Sequence, residues 1–211
     1  MEATIRLAAM RSVLLLPVLI AAGLLTAHLS AAAIEITPAS AWGAVPDAAP
    51  ALPQTTITHI TLHHQGETWV PGSDVPAYLR KLQHWSRETK HWADIPYHYV
   101  IDPEGKVYAA RPENIAGDTN TEYDPRGHVL VMVLGNFEEV EPNAAQLRAT
   151  VELMAELARK HGLDARAIAS HRDYSTQTVC PGKNLYRYLE NGWIARAVTA
   201  RLDGQPMPAL P

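Results

Sequence analysis

Three stretches of the chain have the hydrophobic pattern of β-strands. β-Branched residues are concentrated at 56–64, a second stretch covers 94–102, and residues 129–134 are a continuous apolar run. An uninterrupted apolar run is typical of a central strand that is covered on both faces. A turn at 103–106 followed by an apolar segment at 107–110 predicts that the second strand forms a hairpin.

Apolar residues at helical spacing predict two further helices, one that contains residues 75–85 and one over about 184–201. The first of these helices has Ser73 or Asp74 as its N-cap and Pro76 in its first turn. Five of its apolar side chains are predicted to pack in the core: Val75, Tyr78, Leu79, Leu82 and Trp85. The segment after the last helix, 206–211, is predicted to be frayed.

The helix with the clearest boundaries is predicted over 143–161. Asn143 and Gln146 fit a capping box, and Gly162 fits the residue that ends a helix in the left-handed conformation. An apolar stripe is predicted to face the core and consists of Leu147, Val151, Met154 and Leu157. A short strand over 167–170 is expected next.

The N-terminus has the pattern of a secretory signal peptide, which covers residues 1–33. Arg6 and Arg11 precede an apolar run at 13–27, and small residues at 30–33 offer a cleavage site. The run is shorter than the about 20 apolar residues of a membrane span. We expect cleavage near Ala33 and a periplasmic or secreted protein without a stable membrane anchor. Retention as an uncleaved signal anchor is the alternative.

The remaining chain divides into three parts. Residues 34–56 carry four prolines and are predicted to be an extended lead-in, with Trp42 docked on the domain. Residues 57–202 form the predicted domain, and 203–211 form a Pro-rich tail. With 47% hydrophobic and 19% charged residues among 211, the chain suits one globular domain with a sizeable core.

Charge and cysteine content narrow the classes of partner and site. The formal net charge of −4 provides no basic surface of the kind that binds nucleic acid, so no nucleic-acid partner is expected. The single cysteine excludes an intramolecular disulfide. A monomer is expected.

That cysteine, Cys180, follows His171 by nine positions and is followed by a Pro-Gly turn. Imidazole and thiolate are ligands that Zn²⁺ prefers. A free cysteine is more often a small buried hydrophobic residue, so a zinc site requires a third ligand. In an oxidising compartment, metal ligation would also protect the thiol from oxidation.

His63 is a candidate for the third ligand because it lies at the end of the first predicted strand. Alternation along a strand places His59, Thr61 and His63 on one face, and His64 on the other. The pattern does not determine which face holds a metal. The carboxyl ends of strands are nevertheless the usual place for sites in α/β sheets.

Several short motifs occur in one order along the chain: Trp42-Gly43-Ala44, Leu62-His63-His64, Asp94-Ile95-Pro96-Tyr97-His98, Asp102-Pro103-Glu104-Gly105-Lys106-Val107-Tyr108, Gly135-Asn136-Phe137, and His171-Arg172-Asp173 with Cys180-Pro181-Gly182. In this order the chain resembles the zinc N-acetylmuramoyl-L-alanine amidases that are related to peptidoglycan recognition proteins and bacteriophage T7 lysozyme. The resemblance covers nearly all of the expected mature chain. It implies an α/β fold of one domain, with a mixed, mainly parallel central sheet flanked by helices.

The resemblance implies specific roles for five residues. His63, His171 and Cys180 match the three Zn²⁺ ligands, and three protein ligands leave a fourth position for water, as in catalytic zinc sites. Tyr97 matches a tyrosine that lies near the metal-bound water. Thr178 matches the residue two positions before the cysteine, which is threonine or lysine in active members.

The chain departs from the family pattern in three places. The segment between His171 and Cys180 is one residue longer than usual, which leaves the positions next to Thr178 as alternatives. Met132 stands where some members have a glutamate that acts as general base. Asp118-Thr119-Asn120 replaces a loop that often carries a histidine. The tyrosine-type site is therefore favoured over the glutamate-based one.

The implied activity is hydrolysis of the amide between the lactyl group of N-acetylmuramic acid and L-alanine, with peptidoglycan or muropeptides as partners. Protonation of the leaving amine is unassigned, and His64, His98 and His128 are candidate helpers. Two alternatives remain: a non-catalytic peptidoglycan-binding module of the same fold, and a zinc hydrolase with a different amide substrate.

Overall fold

The computed structural model describes residues 34–46 and 51–211. The predicted signal peptide and its cleavage site lie outside the described residues. Within the described part of the chain, no helix combines the length and apolar character needed to cross a membrane.

The described residues contain six strands and five α-helices. The strands are β1 (Ile36–Thr37), β2 (His59–His64), β3 (Tyr99–Ile101), β4 (Val107–Ala109), β5 (His128–Val133) and β6 (Ile168–Ser170). The helices are α1 (Val75–Glu88), α2 (Ala144–His161), α3 (His171–Tyr174), α4 (Lys183–Glu190) and α5 (Trp193–Leu202). Two short 3₁₀ helices cover Ala39–Trp42 and Ala165–Ala167.

The strands form one sheet in the order β1-β4-β3-β5-β2-β6. Every neighbouring pair is parallel except the β3–β4 hairpin, so the predicted mixed, mainly parallel sheet is confirmed. β2 and β5 are the long inner strands and pair over six residues each. All six β5 residues are buried, as the continuous apolar run predicted.

Helices cover both faces of the sheet. On one face, Ile60 and Leu62 of β2 pack with the apolar stripe of α2 and with α5. On the other face, Val100 and Met132 pack with α1 and with Trp42. The predicted capping box of α2 is present, and its stripe is buried: Leu147, Val151, Met154 and Leu157. Trp42 docks as predicted, and its indole Nε1 donates to the carbonyl of Ala109 at 2.7 Å.

The second predicted strand, 94–102, is mostly not a strand, because its first half is bound to a side chain instead of a neighbouring strand. Arg111 is 3% exposed, and its guanidinium donates to the carbonyls of Asp94 and Ile95 at 2.7 and 2.8 Å. Pro96 has no backbone N–H to contribute to a ladder. Regular strand structure therefore covers only Tyr99–Ile101, although the N–H of His98 already donates to the carbonyl of Leu130 at 2.9 Å.

The predicted C-terminal helix is wrong as a single element. It divides into α4 and α5 at Asn191 and Gly192, where Gly192 has a left-handed φ of 71°. Gly192 is the N-cap of α5, and the Asn191 side chain before it accepts from the N–H of Trp193 at 2.8 Å. The tail is not frayed either, because the Trp193 indole donates to the carbonyl of Ala209 at 2.9 Å.

Two other elements differ from the predictions. The lead-in contains strand β1, paired with β4, and a 3₁₀ helix, so it is not simply extended. The buried face of α1 consists of Val75, Leu79, Gln83 and Ser86. Trp85 is 42% exposed, so its predicted core position is wrong. Tyr78 and Leu82 are half-buried beside it.

A buried histidine fastens the chain immediately after Tyr97. His98 is fully buried; its Nδ1 accepts from the N–H of Leu130 at 2.9 Å, and its Nε2 lies 2.9 Å from the carbonyl of Ile115. This arrangement suits the neutral ring with its proton on Nε2. Burial lowers the pKa of His98 to about 4.

We predict that the free energy of unfolding falls as the pH is lowered from 6.5 toward 4. In the unfolded chain the His98 imidazole has a pKa near 6.5. It therefore binds a proton at pH values where the folded site remains neutral. The contribution of neutral His98 to the free energy of unfolding is complete above pH 6.5, is lost as the pH falls through about 4, and amounts to about 3 kcal/mol.

The check is urea unfolding of the wild type and of His98→Gln at several pH values. The variant should show a flatter dependence, whereas His84→Gln, at an exposed position, should not. Parallel curves for wild type and His98→Gln would contradict the assignment.

Candidate metal centre

The three predicted ligands meet at the carboxyl edge of the sheet. His63 is near the end of β2, His171 begins α3 directly after β6, and Cys180 lies in the loop after α3. One ligand atom from each residue lies within 4.8 Å of the other two. The convergence follows from topology, because parallel neighbours such as β2 and β6 end at the same edge of a sheet.

The structure determines the face of β2 that alternation left open. The His63 ring lies 5.2 Å from the Tyr97 ring and 4.8 Å from the His171 ring, centroid to centroid. His64 points to the opposite side, where its Nδ1 accepts from the N–H of Phe137 at 3.3 Å. The candidate site therefore lies on the face that carries α1.

The donor set fits a borderline-soft cation such as Zn²⁺. The Cys180 sulfur lies 3.6 Å from His63 Nδ1 and accepts from the backbone N–H of His64 at 3.4 Å. His63 Nε2 is buried without a hydrogen-bond partner among the described residues. Two imidazoles and a thiol at this spacing can serve as metal ligands.

Burial favours the neutral form of all three groups. It lowers the pKa of His63 well below its usual value, with the charge of His171 as the next cause, and it lowers the pKa of His171 to about 4. Neutral imidazoles have the lone pair that ligation requires. Burial also raises the pKa of the Cys180 thiol to about 12. An ionised Cys180 therefore requires a nearby cation to offset its desolvation.

The Pro-Gly turn after Cys180 is packed against the loop after β5. Gly182 has a left-handed φ of 85°, and a Cβ there would lie 2.4 Å from the Phe137 carbonyl carbon. Asn184 N–H donates to the Phe137 carbonyl at 2.9 Å and continues the contact. Only glycine allows the backbone at 182 to lie this close to Phe137. This contact fixes the turn next to Cys180, whose sulfur lies near His63.

A capping box orients His171 at the start of α3. The Asp173 carboxylate accepts from the backbone N–H and the hydroxyl of Ser170, both at 2.7 Å. The Tyr186 hydroxyl donates to the same carboxylate at 3.0 Å. The turn that carries the imidazole is therefore held from both sides.

Tyr97 and Thr178 both border the ligand cluster. The Tyr97 ring is half-buried, and burial raises the pKa of its hydroxyl well above the usual value, so the group stays protonated. The Thr178 hydroxyl accepts from the N–H of Cys180 at 3.1 Å. Both residues and the neighbouring Gln177 line the same cavity.

Of the three candidate helper histidines, only His64 lines this cavity. His98 is used by the backbone contacts described above. His128 Nδ1 is hydrogen-bonded to Thr61 Oγ1 at 2.8 Å, and its ring stacks on the His59 ring with the centroids 4.6 Å apart. His98 and His128 therefore make structural contacts away from the ligand cluster.

The cavity has a volume of about 710 Å³ and extends from the cluster along α1. Its far wall consists of Tyr78, Lys81, Leu82, Trp85 and Trp92. A cavity of this size suits a ligand of several hundred daltons. The sequence pattern did not identify these lining residues, because helical periodicity does not distinguish an apolar side chain in the core from one that lines a cavity.

Fold and site together define an α/β domain with a candidate His₂Cys metal centre at the carboxyl edge of its sheet. The sequence pattern of the family described as N-acetylmuramoyl-L-alanine amidase matches residues 53–183, more than half of the chain. The chain belongs to this family.

Two curated relatives show the range of the family. Human N-acetylmuramoyl-L-alanine amidase is 29% identical over 192 residues, which are 82% of this chain and 32% of the human protein. Mouse peptidoglycan recognition protein 1 is 26% identical over 159 residues, 74% of this chain and 86% of that protein. The chain thus spans about a third of the human amidase. Relatives named for amide hydrolysis and relatives named for recognition both match, which supports peptidoglycan hydrolysis or binding.

Solved structures agree with the fold. Drosophila peptidoglycan recognition protein SD superposes with a TM-score of 0.67 at 27% identity, covering 74% of this chain and 94% of that one. A human recognition protein, PGRP-IBETAC, solved in complex with a glycosamyl muramyl pentapeptide, gives a TM-score of 0.64 at 24% identity, covering 74% and 94%. At 24% identity, the likeness to the human protein concerns the fold alone.

Proposed function

We propose that this protein is a Zn²⁺-dependent amidase that cleaves the bond between the lactyl group of N-acetylmuramic acid and L-alanine of peptidoglycan. The observation that carries the proposal is the cluster of His63, His171 and Cys180 beside the ring of Tyr97, in a cavity of about 710 Å³. Membership of the amidase family supplies the substrate class.

Zn²⁺ held by His63, His171 and Cys180 would act as a Lewis acid and lower the pKa of bound water toward neutrality. The contribution of the chain itself is positioning. Buried neutral imidazoles and a shielded sulfur provide a preformed donor set, so little reorganisation is needed on loading. The cavity walls along α1 would hold the sugar and stem peptide with the scissile amide near the cluster.

In this proposal Tyr97 would interact with the reacting amide. Because its hydroxyl stays protonated, it can donate a hydrogen bond to the oxygen that becomes negative when the carbonyl is attacked. Thr178 lines the cavity next to Cys180 and can orient water or the substrate carbonyl. His64 borders the cavity, but its ring points to the opposite side of β2 and accepts from the N–H of Phe137, so we assign it no part in the reaction.

A peptidoglycan-binding module without activity is the second candidate, because several relatives are named for recognition. The intact cysteine ligand favours the enzyme. For the protein in its cell we propose a periplasmic or secreted location, on the strength of the N-terminal signal pattern, and a monomeric state.

Digestion of purified sacculi should release stem peptides with new L-alanine amino termini and no new reducing sugar ends. An amidase cuts the lactyl amide and leaves glycosidic bonds intact, so the two end groups separate it from a glycosidase. Amine labelling and a reducing-sugar assay measure them. Cys180→Ala serves as the matched inactive control. Sacculi that bind the protein without gaining amines would support the binding module instead.

The purified protein is expected to hold one zinc per chain, and His63→Ala, His171→Ala and Cys180→Ala should each lose most of it. Each change removes one of three protein donors. Metal content after dialysis is measured by atomic absorption, with His84→Ala as an exposed histidine control. Full zinc content in a His63→Ala/Cys180→Ala double variant would show that the ligands are assigned wrongly.

Tyr97→Phe should lower kcat by about 10²-fold, the scale of losing one oxyanion donor. The ring remains, no metal ligand changes, and the zinc content should equal that of the wild type. Steady-state hydrolysis of a defined muropeptide provides the measurement. Tyr108→Phe is the matched control, because its hydroxyl contacts Asp102 at 3.1 Å and not the cavity. A near-normal kcat for Tyr97→Phe would leave its ring as a packing residue only.

A further inference from the structure

The loop of residues 118–123, which we call the threonine loop, lies against the outer side of His171. The Thr121 hydroxyl is 2.7 Å from His171 Nε2, and the Thr119 hydroxyl is 3.4 Å from the same nitrogen. The Tyr123 ring lies 5.1 Å from the imidazole, centroid to centroid. His171 is therefore contacted by this loop on one side and by His63 on the other.

We propose that Thr121 is a positioning residue that holds His171 in the tautomer and orientation needed for metal binding. In this arrangement Nε2–H donates to Thr121 Oγ1, and the lone pair is left on Nδ1. The inference rests on the proposed metal site, and it concerns a residue that neither the family motifs nor the cluster itself includes.

The contacts between Thr121 and Thr119 are compatible with this direction of the hydrogen bond. The two hydroxyl oxygens are 2.8 Å apart, and Thr119 Oγ1 already accepts from the Thr121 backbone N–H at 3.1 Å. Thr119 Oγ1 thus faces Thr121 as an acceptor, and the Thr121 hydroxyl hydrogen can point to it. The Thr121 oxygen then presents its lone pairs to His171.

The threonine loop is fixed at both ends, so this hydroxyl is preorganised. At its start, Asp118 forms an ion pair with the buried guanidinium of Arg111. Near its end, the Glu122 carboxylate accepts from the Ser175 hydroxyl at 2.5 Å and from the Thr176 N–H at 3.2 Å. Metal-ligating histidines in proteins typically donate their other N–H to a fixed acceptor, and loss of that acceptor weakens metal binding about 10–100-fold.

Zinc affinity of the full chain tests the proposal without reference to activity. Thr121→Val keeps the shape and removes the hydroxyl, so the Kd for Zn²⁺, measured by chelator competition, should rise about 10–100-fold. Thr121→Ser restores an oxygen and should bind zinc nearly as the wild type does. Thr199→Val, at an exposed position of α5, is the matched control and should not change the Kd.

Nitrogen NMR of His171 in the metal-free protein provides the second readout, which a general loss of packing would not produce. The wild type should show the proton on Nε2, and Thr121→Val should show a mixture of tautomers. A wild-type His171 with its proton on Nδ1, or a Thr121→Val variant with unchanged zinc Kd, would overturn the positioning role.

His171→Ala separates this inference from the proposed function. If His171→Ala loses zinc while Thr121→Val retains wild-type affinity, the metal site stands and only the role of Thr121 fails. If His171→Ala retains wild-type affinity, the ligand assignment fails, and the role of Thr121 fails with it. If Thr121→Val does not fold, the Thr121→Ser affinity and the wild-type tautomer still decide the matter.

Discussion

The parallel pairing of β2 between β5 and β6 is the constraint on which the site depends. The register aligns His63 with Met132 of β5 and Leu62 with Ser170, the residue before His171. A shift of one residue would turn His63 into the α2 side and bring His64 to the α1 side. Burial of Ile60 and Leu62 against α2 and α5 opposes such a shift, because it would move both side chains out of the core. Core packing and ligand geometry are thus consequences of one register.

Desolvation is the second physical factor that shapes the centre. The same burial that keeps the imidazoles neutral penalises the thiolate, and the backbone N–H of His64, 3.4 Å from the sulfur, partly offsets this cost. A cation at the cluster would therefore stabilise the ionised sulfur more than it would at an exposed site, because the dielectric screening there is weaker. Loading with metal and ionisation of Cys180 are linked equilibria in such an environment.

Sequence patterns predicted the elements whose periodicity is strong and local. The capping box and stripe of α2, the apolar β5 and the β3–β4 hairpin all reflect short-range rules. The patterns failed where a distant side chain determined the backbone conformation, because Arg111 binds the carbonyls of Asp94 and Ile95. They also failed at Asn191 and Gly192, where one apolar period is interrupted and a new helix begins. The clustering of His63, His171 and Cys180 was implied by family motifs and not by spacing. The contact between Thr121 and His171 spans 50 residues of sequence and carries no local signal, so only the folded chain reveals it.

The two faces of helix α1 have different roles. Val75, Leu79, Gln83 and Ser86 are buried in the domain, whereas Tyr78, Lys81, Leu82 and Trp85 line the cavity. Lys81 and Trp85 are exposed, so substitutions there cost little stability, whereas Tyr78 and Leu82 also pack against the core on this side of the sheet. The exposed part of the cavity face is accordingly a scaffold for redesign. A library varied at positions 81 and 85 would explore ligand preference while the register of the sheet and the donor set remain unchanged.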